Sequence, residues 1–217
     1  MRYGKNTVLS NITFTAAQGE AVGIIGRNGS GKSTLLSIIG GHITRYGGNV
    51  FWDGVKLPSP QGFKKIGYVP QNDFLFDDLS VKDNLKFWAA AYRVRLDLSA
   101  PVIAGLGLEA IARVKCGKLS GGMRRRVMIA SCVLHEPECV LLDEPNTGLD
   151  FYYKKALLDW IADIKGRGKS VLYAGHDIDD IFSICGRILL LESGRVVFEA
   201  SGDTGLERVK EALTNVK

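Results

Sequence analysis

The chain lacks the features that mark several classes of protein. None of its 217 residues belong to an apolar run near the ~20 residues that cross a bilayer. The opening MRYGKN has no signal-peptide hydrophobic region, so the sequence reads as cytosolic, with any membrane role reached through a partner. Cysteines number four, Cys116, Cys132, Cys139 and Cys185, with no C-x-x-C spacing, and three lie in apolar segments. Buried reduced thiols are therefore expected in place of a disulfide framework or a zinc site. Charge of one sign is also scarce. The net charge of +5 names no partner, and the basic cluster Arg124-Arg125-Arg126 reads as a solvated helix face, so no nucleic acid is expected.

What remains is ordinary globular composition, 46% hydrophobic and 24% charged, at a length that suits one well-buried domain with a lobe or insertion. Within it, GRNGSGKST at residues 26–34 concentrates three glycines and ends near a lysine. Gly26, Gly31, Lys32 and Ser33 fit G-x-x-x-x-G-K-[ST], and the apolar run AVGII before and the helical pattern TLLSII after supply the strand and helix that this motif requires. Glycines allow successive N–H groups to point at phosphate oxygens, and the helix N-terminus adds partial positive charge. Lys32 is expected on the β- and γ-phosphates and Ser33 on Mg²⁺.

A phosphate loop names a nucleotide and leaves the task open. In CVLLDEP, residues 139–145, the apolar run reads as a buried parallel strand that delivers Asp143 and Glu144 to its C-terminal end, where open α/β sheets place ligands. Asp143 suits the Mg²⁺ shell, and Glu144 suits orienting or deprotonating a water. Between these motifs, KLSGGMRRRVMIASCVL places Ser120 as an N-cap before a helix. Gly121-Gly122 weakens that helix unless something approaches its backbone, and a phosphate is one such object.

GRNGSGKS, Gln71 in YVPQN, LSGGM, LLDEP, GLD and His176 in AGHD occur in this order, and together the series resembles the nucleotide-binding domain of ATP-binding cassette (ABC) proteins over essentially the whole chain. The resemblance implies an α/β fold: a P-loop NTPase, RecA-like core with a mostly parallel sheet, an N-terminal antiparallel β lobe and a helical lobe. Residues 1–71 and 118–217 would form the core with its β lobe, and 72–117 the helical lobe. It further implies that ATP and Mg²⁺ are the cofactors. Tyr3 would stack on adenine, while Gly26, Asn28, Gly29, Ser30, Gly31, Lys32, Ser33 and Thr34 cradle the phosphates. Ser33, Gln71 and Asp143 would hold the metal, with Glu144, His176, Lys32 and Gln71 as the catalytic set. Ser120, Gly121 and Gly122 would cap the γ-phosphate of a second subunit, and Asp150 would cross to it, besides capping the helix that follows.

Some positions depart from the family's pattern. Met123 replaces the usual glutamine after Ser-Gly-Gly and cannot donate a hydrogen bond, Phe151 stands where proline is usual, and GHD replaces the commoner start of the histidine motif. SGGM followed by basic residues, with LSVKDNLKFWAAAYRV, resembles the branch serving ABC-2-type exporters. The implied function is an ATP-hydrolysing subunit that works in a pair, drives a separate transmembrane permease and lies on the inner face of the membrane. The alternative is a soluble family member for DNA repair, translation or iron–sulfur assembly, whose coiled-coil, zinc-finger and tandem-cassette additions are missing from this sequence. In the helical lobe Ser80-x-x-Asp83 starts a helix carrying Leu85, Trp88 and Tyr92 on one face, and Phe74 and Phe76 beside Gln71 form the expected docking groove for the permease. At the other end, NTVLSNITFTAAQGE is expected to form a strand, with Ile12 and Phe14 alternating against Thr13 and Thr15 and one edge unpaired. A short segment upstream of Met1 is expected to supply the partner.

Overall fold

The structure, a computed structural model, describes residues 1–4, 6–59, 62, 64–202, 205 and 209; the rest of the assigned C-terminal stretch lies outside the described residues. In chain order the elements are β1 (Arg2–Tyr3), β2 (Asn6–Thr7), β3 (Ala21–Ile25), α1 (Lys32–Ile39), β4 (Val50–Trp52), β5 (Val55–Leu57), β6 (Ile66–Val69) and α2 (Val81–Tyr92). There follow α3 (Pro101–Gly105), two short 3₁₀ turns, α4 (Gly121–Val133), β7 (Cys139–Asp143), α5 (Phe151–Gly166), β8 (Ser170–Gly175), α6 (Ile178–Ile184), β9 (Arg187–Glu192) and β10 (Arg195–Ser201).

AVGII, CVLLD and SVLYAG are buried at every position, as strands covered on both faces must be. They form the centre of a sheet ordered β10-β9-β3-β8-β7-β6, parallel except for β10, which returns antiparallel to β9. Strand alternation divides the core between its faces. Ala21, Ile25, Val140, Leu142, Val171 and Tyr173 pack with α4, α5 and α6, whereas Val22, Ile24, Leu141 and Leu172 pack with Leu35 and Leu36 of α1. The parallel strands thus end together at one rim, where the loops after β3, β6, β7 and β8 carry the motif residues. All four cysteines are free and buried, as the sequence implied.

The antiparallel β lobe is present as small pairs. β1 pairs with β2 through Arg2↔Thr7 and Tyr3↔Asn6, and β4 pairs with β5. The longer strand expected from residue 6 onward is corrected: it stops at Thr7, and residues 8–20 form none. The alternation itself survives, since Ile12 and Phe14 are half-buried against the α1 side of the core while Thr13 and Thr15 are exposed. A strand also needs a second backbone beside it, and a cleft of about 840 Å³ lies between residues 10–18 and residues 46–53.

The reading of Arg124, Arg125 and Arg126 as a solvated face is also corrected. Val127 to Val133 of α4 are all buried, so this helix has no free face there, and successive residues point about 100° apart into three different neighbours. Arg124 pairs with Asp73 and Asp77 and donates to the Cys116 carbonyl at 2.8 Å. Arg126 donates to Leu106 O at 2.9 Å, its guanidinium carbon 3.6 Å above the Tyr153 ring. Arg125, 5% exposed, donates to the carbonyls of Pro70, Asp143 and Pro145, tying α4 to the ends of β6 and β7.

Arg125→Met keeps the side chain's length and leaves these carbonyls unpaired, at about 1–3 kcal/mol each. About 3 kcal/mol in all lowers the thermal midpoint by about 6–12 °C in a chain of this size. Arg167→Met, which breaks only the exposed pair to Asp163, lowers it by less than about 1 kcal/mol equivalent. Calorimetry of both variants is the check, and equal shifts would refute the assignment to Arg125.

Candidate active site

β3 ends at Ile25 and the chain wraps through residues 26–31 before α1 begins at Lys32. Gly31 caps this helix in the left-handed region at φ 107°, and a Cβ there would meet the Leu9 Cδ2 at 2.6 Å. Only glycine therefore fits. No side chain caps α1, so its first N–H groups keep no partner of that kind, which suits an anion. Ser30 Oγ is buried and likewise meets no partner. Lys32, 6% exposed, turns back over the loop and donates to Gly26 O at 2.7 Å and Arg27 O at 3.3 Å. Burial lowers its pKa, and the carboxylates of Glu144 and Asp143 act in the opposite sense.

Those carboxylates come from the end of β7. Asp143 is 1% exposed and neither of its oxygens accepts a hydrogen bond of good geometry, although the Ser33 hydroxyl is near enough to favour its charged form. Burial dominates and raises its pKa. A buried carboxylate without a donor, next to a serine hydroxyl, is the hard-oxygen set that Mg²⁺ takes. Glu144 is held at φ 50°, a region that costs energy for a residue with a side chain, while its N–H donates to Ala174 O at 2.8 Å. Its Oε2 lies 2.8 Å from Nδ1 of His176, just past β8. Glu144 is 8% exposed at its side chain and His176 70%, so the pair runs from the core to solvent.

The structure thus brings Lys32, Ser33, Asp143, Glu144 and His176 together. Asn28 and Gly29 are exposed on the loop, and Thr34 enters α1 half-buried. Gln71 is exposed and follows Pro70, whose carbonyl Arg125 holds. Tyr3, 52% exposed, sits on the β1–β2 pair, which runs into Val8 and Leu9 packed on Gly31. Ser120 and Asp150 are the N-caps expected, accepting from Met123 N at 3.3 Å and Tyr153 N at 3.0 Å. Gly122 has an intrachain reason to be glycine, since a Cβ would meet Gly148 O at 2.4 Å; Gly121 faces open space. Among the described hydrogen bonds, none joins Ser120, Gly121, Gly122 or Asp150 to residues 26–34.

Arg125 was the residue that motif spacing missed. The signal available was the uninterrupted VMIASCV after it, which denies α4 a solvated side. A second missed link joins the loop after β7 to α6: Asn146 donates to Asp180 at 2.6 Å, and Lys154 bridges Asp177 and Asp180 at 2.7 and 2.8 Å.

A glycine loop feeding an uncapped helix, with a buried lysine and two carboxylates from the neighbouring strand, defines a P-loop nucleotide-binding domain. The family model described as ABC transporter matches residues 9–147. Linearmycin resistance ATP-binding protein LnrL of Bacillus subtilis (strain 168) is 32% identical over 201 residues, covering 90% of this chain and 65% of its own length. Nod factor export ATP-binding protein I of Burkholderia orbicola (strain AU 1054) is 32% identical over 206 residues, covering 92% and 68%. The chain therefore spans about two thirds of these relatives. Among solved structures, the ATP-binding subunit of an ABC transporter superposes with a TM-score of 0.86 at 28% identity, over 98% of this chain and 95% of that one. A dimeric post-hydrolysis cassette bound to ADP and Pi superposes with a TM-score of 0.81 at 29% identity, over 93% and 94%. The protein belongs to the ABC transporter family, and its fold is that of the ATP-binding cassette.

An acid with a raised folded pKa destabilises the fold above its unfolded value, and the cost fades as falling pH protonates it. Asp143→Asn removes that charge. The nucleotide-free protein should melt about 2–4 °C higher at pH 7, equivalent to about 1 kcal/mol. It should also lose the Mg²⁺-dependent part of stabilisation by ATP, read in the same melts with and without magnesium.

Proposed function

We propose that the chain binds and hydrolyses ATP as one of a pair of cassettes driving export through a separate membrane-spanning protein. The observation that carries this is the convergence of Lys32, Asp143 and Glu144 under the phosphate loop, with Glu144 fixed to His176 at 2.8 Å. The names of the relatives, which concern linearmycin resistance and Nod factor export, support the exporter reading.

In this reading the N–H groups of residues 26–34 and Lys32 hold the triphosphate, and Tyr3 stacks on the adenine. Ser33, Gln71 and Asp143 would hold Mg²⁺, which would offset charge on the phosphate oxygens. Glu144 takes a proton from the attacking water as the water oxygen bonds to the γ-phosphorus and the bond to the β–γ bridging oxygen breaks, giving ADP and phosphate. His176 positions Glu144 and contacts the γ-phosphate. Ser120, Gly121 and Gly122 cap the γ-phosphate held by the partner, and Asp150 reaches across, which the dimeric cassette structures support.

Among the described residues no helix is long and apolar enough to cross a membrane. In this reading the translocation path lies in a separate membrane-spanning protein. Its docking surface needs one revision. Phe74 is half-buried, edge-on to Trp88 at 5.0 Å, whereas Phe76 and Phe87 are 42% and 46% exposed and meet edge-to-face at 4.8 Å. These two rings form the proposed permease contact, and the protein lies on the inner face of the membrane through it.

Glu144→Gln preserves shape and removes basicity; it should bind ATP but slow turnover about 100-fold or more. Phosphate release measured beside nucleotide affinity decides this, and wild-type turnover would overturn the assignment. Ser120→Arg places a bulky cation where the partner's phosphate would lie. Turnover should fall together with ATP-dependent dimerisation while nucleotide affinity of the single chain persists; normal hydrolysis would rule out the two-chain site.

A further inference from the structure

Two large rings stand in solvent at the start of α5: Phe151 is 84% exposed and Tyr152 70%. They contribute nothing to the core, since the buried face of this helix begins later with Leu157 and continues through Ile161 and Ile164. Their backbone is fixed, because Asp150 caps the helix. Tyr152 is fixed as well. It meets Tyr153 edge-to-face at 5.0 Å, and Tyr153 is held under Arg126, itself bonded to Leu106 O. An exposed aromatic braced this way loses little freedom on contact, the property that makes anchor residues effective.

The neighbourhood identifies the surface. Gly148 O packs so closely on Gly122 that the turn before α5 and the N-terminus of α4 form one face, and Arg126 over Tyr153 joins them a second time. On that face Ser120, Gly121, Thr147, Gly148, Asp150, Phe151 and Tyr152 are exposed. Lys154, nearby, is engaged by Asp177 and Asp180. Apolar rings beside small polar residues, with the exposed Lys118 and the Asp159-paired Lys155 at the margin, match the apolar centre and polar rim of a protein–protein interface.

We propose that Phe151 and Tyr152 are the apolar anchors that seat a second copy of this chain on the face carrying Ser120 and Gly121. The inference rests on the paired-cassette reading and adds to it the residues that hold the pair together. The occupant is a second copy because the rings adjoin Ser120 and Gly121, whose role in that reading is performed on the partner's nucleotide. In a two-fold pair each anchor acts twice, so its loss is felt on both copies. The rings touch neither phosphates nor metal; they set how firmly the site closes.

The test uses the full chain carrying Glu144→Gln, with Mg²⁺ and ATP, in sedimentation velocity across a concentration series. Adding Phe151→Ser and Tyr152→Ser should weaken dimerisation at least about 30-fold, the scale of one anchor residue. Nucleotide affinity below the dimerisation range should stay within about threefold, and thermal melts should coincide because neither ring is buried. Phe151→Leu with Tyr152→Phe keeps the apolar surface and should restore the dimer to within about fivefold of the parent. If the serine variant dimerises as tightly as the parent, the anchor assignment is wrong while the paired reading stands. If the leucine–phenylalanine variant fails as badly as the serine one, apolar anchoring is wrong. If the Glu144→Gln parent stays monomeric with ATP, the paired reading and this inference fail together.

Discussion

The guanidinium of Arg125 is the interaction on which the rest of the arrangement depends. Buried among strand ends, it donates to carbonyls of Pro70, Asp143 and Pro145, so one side chain fixes the loop leading to Gln71, the strand end carrying both carboxylates, and the helix beginning at Ser120. A buried cation is costly unless its donors are satisfied, and here backbone oxygens without net charge satisfy them. Arg125 therefore makes no hydrogen bond to the Asp143 or Glu144 carboxylate among the described bonds, although their charges still favour its charged form. Burial accordingly lowers the pKa of Arg125 without giving it a carboxylate partner in the described bonds.

From that clamp follows a division of labour between two faces. Toward the phosphate loop, few polar groups bond internally: Ser30 Oγ is buried without a partner, Asp143 has only the Ser33 hydroxyl near its buried oxygens, and α1 has no capping side chain. Such groups cost stability in the empty protein and suit a ligand rich in charge. Toward the turn before α5, Ser120 and Asp150 are engaged as caps, while Gly121, Phe151 and Tyr152 are bare. One face suits a polyanion, and the other is the proposed seat of a second copy. The links from Asn146 to Asp180 and from Lys154 to Asp177 tie the second face to the helix that follows His176, which lies on the first.

Burial also explains which motif residues could be read early. Lys32, Ser33, Asp143 and Glu144 sit at strand and helix ends whose flanks, AVGII and CVLL, are continuous apolar runs visible in the sequence. The caps Ser80, Ser120 and Asp150 were legible for a similar reason, since capping is decided within four residues. The arginine triplet departs from a solvated face because the elements packed around its helix, which charge alone does not reveal, enclose all three side chains to differing degrees. Residues 8–15 were misread because alternation reports which side chains face inward and says nothing about whether a second backbone lies alongside. Phe74 and Phe76 were indistinguishable in sequence, and packing on Trp88 separated them.

The chemical inventory and its local geometry follow from short stretches of chain: a glycine loop between strand and helix, two carboxylates at a strand end, and serine or aspartate at helix starts. These depend on backbone preferences and on periodicities spanning a few residues. Long-range packing, by contrast, turns Arg125 inward, brings Glu144 to His176, makes Gly122 clear room for Gly148, and leaves Phe151 and Tyr152 in solvent. Each of those outcomes joins segments distant in the chain or depends on what fails to cover a side chain. Both are set by how the helices pack on the sheet, which no short stretch of sequence contains.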